Sequence, residues 1–166
     1  PENIKKAVDV CAAPGGKSFL LADKADGEAV IYSCDVSENK VNLIKENSKV
    51  QGFKNITPVV ADARVFDGRF AESDLVLADL PCSGIGIIGK KPDIKYRIDP
   101  EATDLLSALQ EEILDNVSKY VKNGGELIFS TCTLNRTENE EKVSNFLKNH
   151  SDFKPVDLND RLTGNL

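Results

Sequence analysis

Two cysteines sit where a thiol can do chemistry. Cys82 lies in "DLPCSGIG", residues 79–86, where an apolar run ends in Asp79 and the chain bends through Pro81 and a glycine-rich turn. Cys132 lies in "STCT", between two threonines at the end of another apolar run. A thiol just past a strand end can meet a ligand, whereas cysteine elsewhere packs as a small apolar residue. Inert packing is the reading for Cys34 and, for the most part, for Cys11. The four cysteines are widely spaced with no C-x-x-C pair. Zinc-site spacing is therefore absent, no metal is expected, and a disulfide framework does not suit a chain of this type. A reduced, cytoplasmic setting follows.

Two thiols beside an acid point to covalent chemistry at a pyrimidine. Methyl transfer to an amine or hydroxyl needs no cysteine, but C5 of a pyrimidine is a poor nucleophile. A thiolate added at C6 moves electron density to C5, which then attacks a methyl group. A base removes the C5 proton and the thiol is expelled, so one hard step becomes easier ones. Asp79 can hold the N3 edge as charge develops there. Parallel strands lie about 4.8 Å apart, so the two thiols face one small space if their strands are neighbours. Spacing alone leaves open which thiol attacks.

The elements that position these residues are legible as short apolar runs alternating with amphipathic ones. Strands are expected at Ala7–Cys11, Ala29–Asp35, Thr57–Asp62, Leu75–Leu80 and Glu126–Cys132, rich in Val, Ile and Leu as in strands buried on both faces. Helices are expected from Gly15 or Gly16, from Ser37 to a C-cap at Gly52, and after Pro100 until Gly124-Gly125. Thr137 to Glu140 reads as a capping box that opens a last helix through about Lys148. The lone histidine, His150, falls near the end of that helix and is expected at the surface, not as a general base. Repeated β-α-β units give an α/β, Rossmann-like fold: an open, mainly parallel sheet with helices on both faces. Ligands bind such sheets beyond the carboxyl ends of the strands, where strand order reverses.

The strand ends deposit "CAAPGGKS", Asp35, Asp62, Asp79 and the two thiols on one rim. Gly16-Lys17-Ser18 matches the end of a P-loop, but Cys11 replaces its first glycine and Pro14 stands where amides would wrap a phosphate. Acids at the next strand ends would repel a triphosphate, so the nucleotide-hydrolysing reading is the weaker one. Gly15 and Gly16 admit a close ligand, and Asp35 lies where an acid takes ribose hydroxyls. Without a pyrophosphate, carboxylates are tolerable and a sulfonium is welcome. The expected cofactor is S-adenosylmethionine, with Asp62 accepting from the adenine amino group. Each acid taken singly is equally readable as a helix cap or a surface charge.

The 166 residues fit one domain, residues 1–166, and 40% apolar with 29% charged is ordinary for a globular chain. No apolar run approaches a membrane span. The net charge of −6 argues against a nucleic-acid binder, which usually shows a basic face. Methionine is absent even at position 1, so a piece of a larger protein is expected.

"DVCAAPGGKS", "ADLPCSGIGIIGKKPDIKY" and "FSTCTLNRTENEE" resemble the signature motifs of the NOL1/NOP2/Sun family of RNA cytosine-C5 methyltransferases. The resemblance covers Asp9 to about Glu141, and the Lys91–Lys95 run is most like the bacterial Sun or RsmB type that modifies small-subunit (16S) ribosomal RNA. It implies that Cys132 is the nucleophile, that Cys82 releases the product, and that Asp79 meets cofactor and cytosine. Cys11, Ala12, Ala13, Pro14, Gly15, Gly16, Lys17, Asp35 and Asp62 would bind S-adenosylmethionine, with Lys40 a possible addition. The substrate would be single-stranded or loop RNA whose target base is turned out of its stack. Lys90, Lys91, Lys95 and Arg97 would meet its phosphates, or else form a solvated loop. Family members carry an N-terminal RNA-holding region and closing C-terminal strands, so truncation at both ends and a monomer are expected. The alternative is a fragment that holds cofactor without turning over RNA.

Overall fold

The computed structural model describes residues 3–25, 28–96 and 99–158. Five strands form one parallel sheet: β1 (Lys6–Asp9), β2 (Val30–Asp35), β3 (Ile56–Val60), β4 (Ser73–Asp79) and β5 (Val121–Ser130). Their spatial order is β3-β2-β1-β4-β5. The chain winds outward from β1 to β3, then returns to β4 on the other side of β1. The switch between β1 and β4 is where open sheets of this kind bind ligands.

Side chains alternate across the sheet, and each face buries its own core. Ala7, Ile31 and Leu75 face Phe19 and Ala22 of α1 (Gly16–Lys24) and Ile44 of α2 (Glu38–Val50). Val8, Val10, Val76 and Ala78 face Ile113, Leu114 and Val117 of α3 (Pro100–Val117), with Phe146 of α4 (Glu140–Asn149) at the margin. Strands β1 and β4 are covered on both sides, and hence their unbroken runs of apolar residues. Strand β5 differs from expectation: it lies at the sheet edge, most of its residues are only half-buried, and Ile128 is 42% exposed.

Boundaries also differ: β1 ends at Asp9 and β3 at Val60, each two residues short of expectation, and β5 starts five residues early, at Val121. Helix α3 ends at Val117, and Gly124-Gly125 do not stop it; they lie inside β5. There the register jumps from Ser73 opposite Val121 to Leu75 opposite Glu126. The glycines sit in a bulge, where a side chain on Gly125 would collide with the Ser73 carbonyl at 2.9 Å. The capping box does not form. Thr137 turns back, its amide and hydroxyl both donating to Asn135 Oδ1, and α4 starts after Asn139 with no side-chain cap. Gly52 follows α2 as expected, its N–H donating to the Lys49 carbonyl.

Arg97 of the basic run and the chain beyond Asp157-Leu158 lie outside the described residues. Among the described residues no helix is long and apolar enough to cross a membrane, and no cluster of three or more metal-ligating side chains occurs.

Candidate active site

Four acids stand in a row on the carboxyl rim, one per strand in spatial order: Asp62 beyond β3, Asp35 on β2, Asp9 on β1 and Asp79 on β4. The sheet spacing sets the row, since each strand advances it by about 4.8 Å. Between β1 and β4 a cleft of about 210 Å³ opens, lined by Asp9, Cys11, Ala12, Ala13, Pro14, Gly16, Lys17 and Asp79. Of the residues expected to bind cofactor, this gathers all of the 11–17 turn except Gly15, together with Asp79. Gly15 lies beneath it with φ +110°, where a β-carbon would sit 2.3 Å from the Phe19 ring, so only glycine makes this turn into α1.

Asp9 was not singled out by the motif, yet it is the deepest acid of the cleft. It is 1% exposed, Ser18 Oγ donates to its Oδ2 at 2.7 Å, and its Oδ1 has no protein partner. Burial pushes its carboxyl up to about 6, with Asp79 adding like-charge repulsion and Ser18 opposing both. In the sequence, Asp9 falls inside a first strand expected to run to Cys11, whereas β1 ends at Asp9 and leaves its carboxylate at the rim. Ser18 itself, fully buried and committed to Asp9, is in no position to hold a magnesium ion, which removes the P-loop reading.

The remaining acids are held by exchangeable contacts. Lys17 Nζ reaches across the cleft mouth to Asp79 Oδ2 at 2.5 Å, and Ser130 Oγ donates to Asp79 Oδ1 at 2.6 Å. Asp35 Oδ1 accepts from the Ser37 amide, and Lys40 Nζ is 3.4 Å from Asp35 Oδ2. Arg64 takes both oxygens of Asp62, which lowers that carboxyl's pKa through the side-chain hydrogen bonds. Neither Asp35 nor Asp62 lines the cleft; they stand farther along the rim.

On the other side of Asp79, β4 and β5 pair through Asp79 and Ser130, and each strand then delivers its cysteine. Cys82 Sγ and Cys132 Sγ are 3.1 Å apart, and the Cys132 amide donates to Cys82 Sγ at 3.2 Å. Cys132 is exposed and Cys82 half-buried. Burial, then the hydrogen bond to Cys132, pushes the Cys82 thiol up to about 11. Cys82 thus keeps its proton at neutral pH, and in the sulfur–sulfur contact either thiol can donate. Cys11 and Cys34 are both pushed up to about 12, chiefly by burial, and stay as neutral thiols.

Gly86 allows this approach. Its N–H donates to the Cys132 carbonyl at 3.1 Å, and a β-carbon there would press on that oxygen at 2.9 Å. The 90–96 segment folds alongside: a methyl on Gly84 would lie 3.2 Å from Ile94 and 3.9 Å from Cys132 Sγ. Lys90, Lys91 and Lys95 are exposed there, and Lys95 rests over the Tyr96 ring.

His150 is not the free surface residue expected. Its ring stacks on Phe146 at 4.1 Å and lies 3.6 Å from Asp115 Oδ1. It stands at the opposite end of α4 from the thiols, about 15 Å of helix away.

A cysteine pair on neighbouring strands beside an acid-lined switch-point cleft is the arrangement that the motifs implied, and the family described as 16S rRNA methyltransferase RsmB/F matches residues 1–163. The chain belongs to that family. Its relatives include the probable ribosomal RNA small subunit methyltransferase B of Bacillus subtilis, 40% identical over 93% of this chain and 35% of the relative. The ribosomal RNA small subunit methyltransferase F of Escherichia coli is 36% identical over 82% of this chain and 29% of its own length. The chain thus spans about a third of the length of the curated relatives it matches. Among solved structures, PH0851 superposes with a TM-score of 0.89 at 36% identity over 95% of this chain and 36% of that one. NSun6 from Pyrococcus horikoshii, solved with SFG, superposes with a TM-score of 0.79 at 29% identity, over 90% and 38%. The fold of this RsmB/F-family chain is accordingly the Rossmann-like fold of S-adenosylmethionine-dependent methyltransferases.

Proposed function

We propose that the chain is the catalytic domain of a longer RNA methyltransferase, which moves a methyl group from S-adenosylmethionine to C5 of a cytosine in small-subunit ribosomal RNA. The observation that carries this reading is the 3.1 Å thiol pair placed one residue-turn beyond Asp79 and the cleft. Family membership and the SFG-bound relative support the cofactor.

The cleft suits a cationic nucleoside. Asp9 Oδ1 is buried without a partner, and a sulfonium or ammonium beside it would satisfy both charge and desolvation. Cys11 to Lys17 would enclose the amino-acid end, and Asp35, with Lys40 beside it, would take the ribose. Asp62 would take the adenine amino group once Arg64 lets go, an exchange made easy because exposed ion pairs hold weakly. When bound, S-adenosylmethionine supplies an electrophilic methyl group.

The chain's own residues do the rest. Cys132 adds to C6 of the cytosine. Asp79 holds the base's N3 edge while electron density shifts to C5. After C5 is methylated and its proton is removed, the C6–S bond breaks and the electron pair returns to Cys132 sulfur. The Cys82 S–H, donating to that sulfur, stabilises the thiolate before attack and again as it leaves. Lys90, Lys91 and Lys95 would meet phosphates of a single-stranded segment whose base is turned into the site. The enzyme would work as a cytoplasmic monomer.

The test is methyl transfer to ribosomal RNA by the full-length protein, with denaturing gels for a covalent RNA adduct. Cys132→Ala should abolish transfer by more than about a thousandfold and form no adduct. Cys82→Ala should also lose turnover while adduct accumulates. An adduct formed by Cys132→Ala would overturn the assignment of roles.

A further inference from the structure

The thiol pair rests on a buried polar cluster that no step above uses. Glu138 is fully buried, and its carboxylate accepts three hydrogen bonds. The Ser83 amide donates to Oε1 at 2.9 Å, the Ser83 hydroxyl to Oε2 at 2.5 Å, and Gln110 Nε2 to Oε1 at 3.0 Å. Gln110, also fully buried, donates from the same nitrogen to the Pro81 carbonyl at 2.9 Å. The proton directions are determined along the chain. Ser83 Oγ gives its one proton to Glu138, so at the 2.7 Å contact Thr133 Oγ1 donates to Ser83 Oγ, and Thr133 Oγ1 in turn accepts from the Asn135 amide. The bonds from Asn135 through Thr133 and Ser83 thus all run toward the Glu138 carboxylate.

These contacts bracket both cysteines. Pro81 and Ser83 flank Cys82, and Thr133 follows Cys132, so one carboxylate on the 136–138 turn ties the two thiol loops together. Beside it, Asn139 receives the Thr131 hydroxyl and donates to the Thr133 carbonyl, bracing Cys132 from its other flank. A sulfur separation of 3.1 Å between two loops needs such a brace, since nothing covalent joins them and Cys132 is exposed.

We propose that Glu138 is a positioning residue for the thiol pair: acting through Ser83, it holds the Cys82 S–H on the Cys132 sulfur and so governs release of the RNA adduct. The proposal rests on the covalent reading above. Removing the carboxylate leaves the Ser83 amide and hydroxyl without their acceptor and Gln110 with the Pro81 carbonyl alone, and the Cys82 loop relaxes away from Cys132. Cofactor binding lies beyond Asp79 and is not expected to change.

The experiment compares full-length wild type with E138A, E138Q, S83A and the S83A/E138A double variant. The readouts are kcat, KM for S-adenosylmethionine and the steady-state fraction of RNA–Cys132 adduct. We expect E138A to lower kcat about thirtyfold, with unchanged cofactor KM and a raised adduct fraction. E138Q keeps an oxygen for Ser83 N–H and Gln110 but opposes the Ser83 hydroxyl with a donor, and should lose about fivefold. The double variant should be no worse than E138A, because both substitutions cut the same link. Wild-type kcat in E138A, or a kcat loss that multiplies in the double variant, overturns the proposal. If E138A does not fold, E138Q decides: lowered kcat with raised adduct supports it, and unchanged adduct rejects it. Absence of any Cys132-dependent adduct in the wild type would instead sink the covalent reading itself.

Discussion

The two sides of Asp79 are built on opposite terms. In and beside the cleft between β1 and β4, polar groups are left incomplete, and Asp9 Oδ1 is buried without a partner. The side chains that hold the other acids, Lys17 at the cleft and Lys40 and Arg64 farther along the rim, are themselves exposed. Between β4 and β5, the polar groups that brace the thiols are joined to one another, from Asn135 through Thr133 and Ser83 to Glu138. An incomplete site gains by taking in a ligand, whereas a satisfied network holds side chains still. One half of the rim is made to receive and the other to keep two sulfur atoms in register. The thiol brace has one exception, Gln110 Oε1, which is also buried without a partner.

A pair of glycine substitutions breaks the comparison most directly. Gly86→Ala drives a methyl against the Cys132 carbonyl, and we expect kcat to fall about tenfold to a hundredfold with cofactor affinity kept. Gly16→Ala meets no atom within 4 Å, so the melting temperature should hold while the methyl occupies the cleft and weakens cofactor binding about tenfold. Calorimetry with S-adenosylhomocysteine beside single-turnover kinetics separates the two. If both variants fail in the same assay, the two halves are not independent.

The incomplete half should also respond to pH. Asp9 is raised from 3.8 to about 6 in the folded chain, so its contribution to stability is full below about pH 4 and is lost as pH rises through 6. The loss amounts to about 3 kcal/mol from the size of the shift. Asp9→Asn should therefore gain stability over wild type between pH 4 and 8 in denaturant titrations. A cationic ligand favours the charged carboxylate, so wild-type affinity for S-adenosylmethionine should rise over the same window. A flat profile in both measurements would place the Asp9 charge elsewhere.

The smallest effect is expected at Asp62. Arg64→Ala frees its carboxylate, and cofactor affinity should improve about twofold to threefold by calorimetry. Unchanged affinity would mean that Asp62 takes no part in holding the nucleoside.

The opposed halves also explain what the sequence could show. Strand ends are where an apolar run stops, so Asp35, Asp79 and the two cysteines were visible as the residues that follow such runs. The right-handed crossover rule then put them on one rim, and the motifs supplied the roles of the thiols. Asp9 escaped because the apolar run was read on to Cys11, which put the acid inside the strand rather than at its end, and burial to 1% exposed has no local mark. Glu138 was passed over because it stood inside the local Thr137–Glu140 pattern, whereas its actual partners, Ser83 and Gln110, are 55 and 28 residues away. The Gly124-Gly125 pair was misread for a similar reason: a glycine pair can end a helix or fill a bulge, and only the neighbouring strand decides which.

By itself, then, the sequence determined the parallel α/β sheet, the glycine turn into α1, and the family to which two thiols and an acid belong. These follow from periodicity, turn chemistry and motif, all of which are short-range. The tertiary structure alone decided that Cys82 is half-buried and Cys132 exposed with their sulfurs in contact, that Asp9 Oδ1 is buried without a partner, and that Glu138 bonds to Ser83 and Gln110. Burial and hydrogen-bond direction depend on which distant segments meet, and no local pattern encodes them.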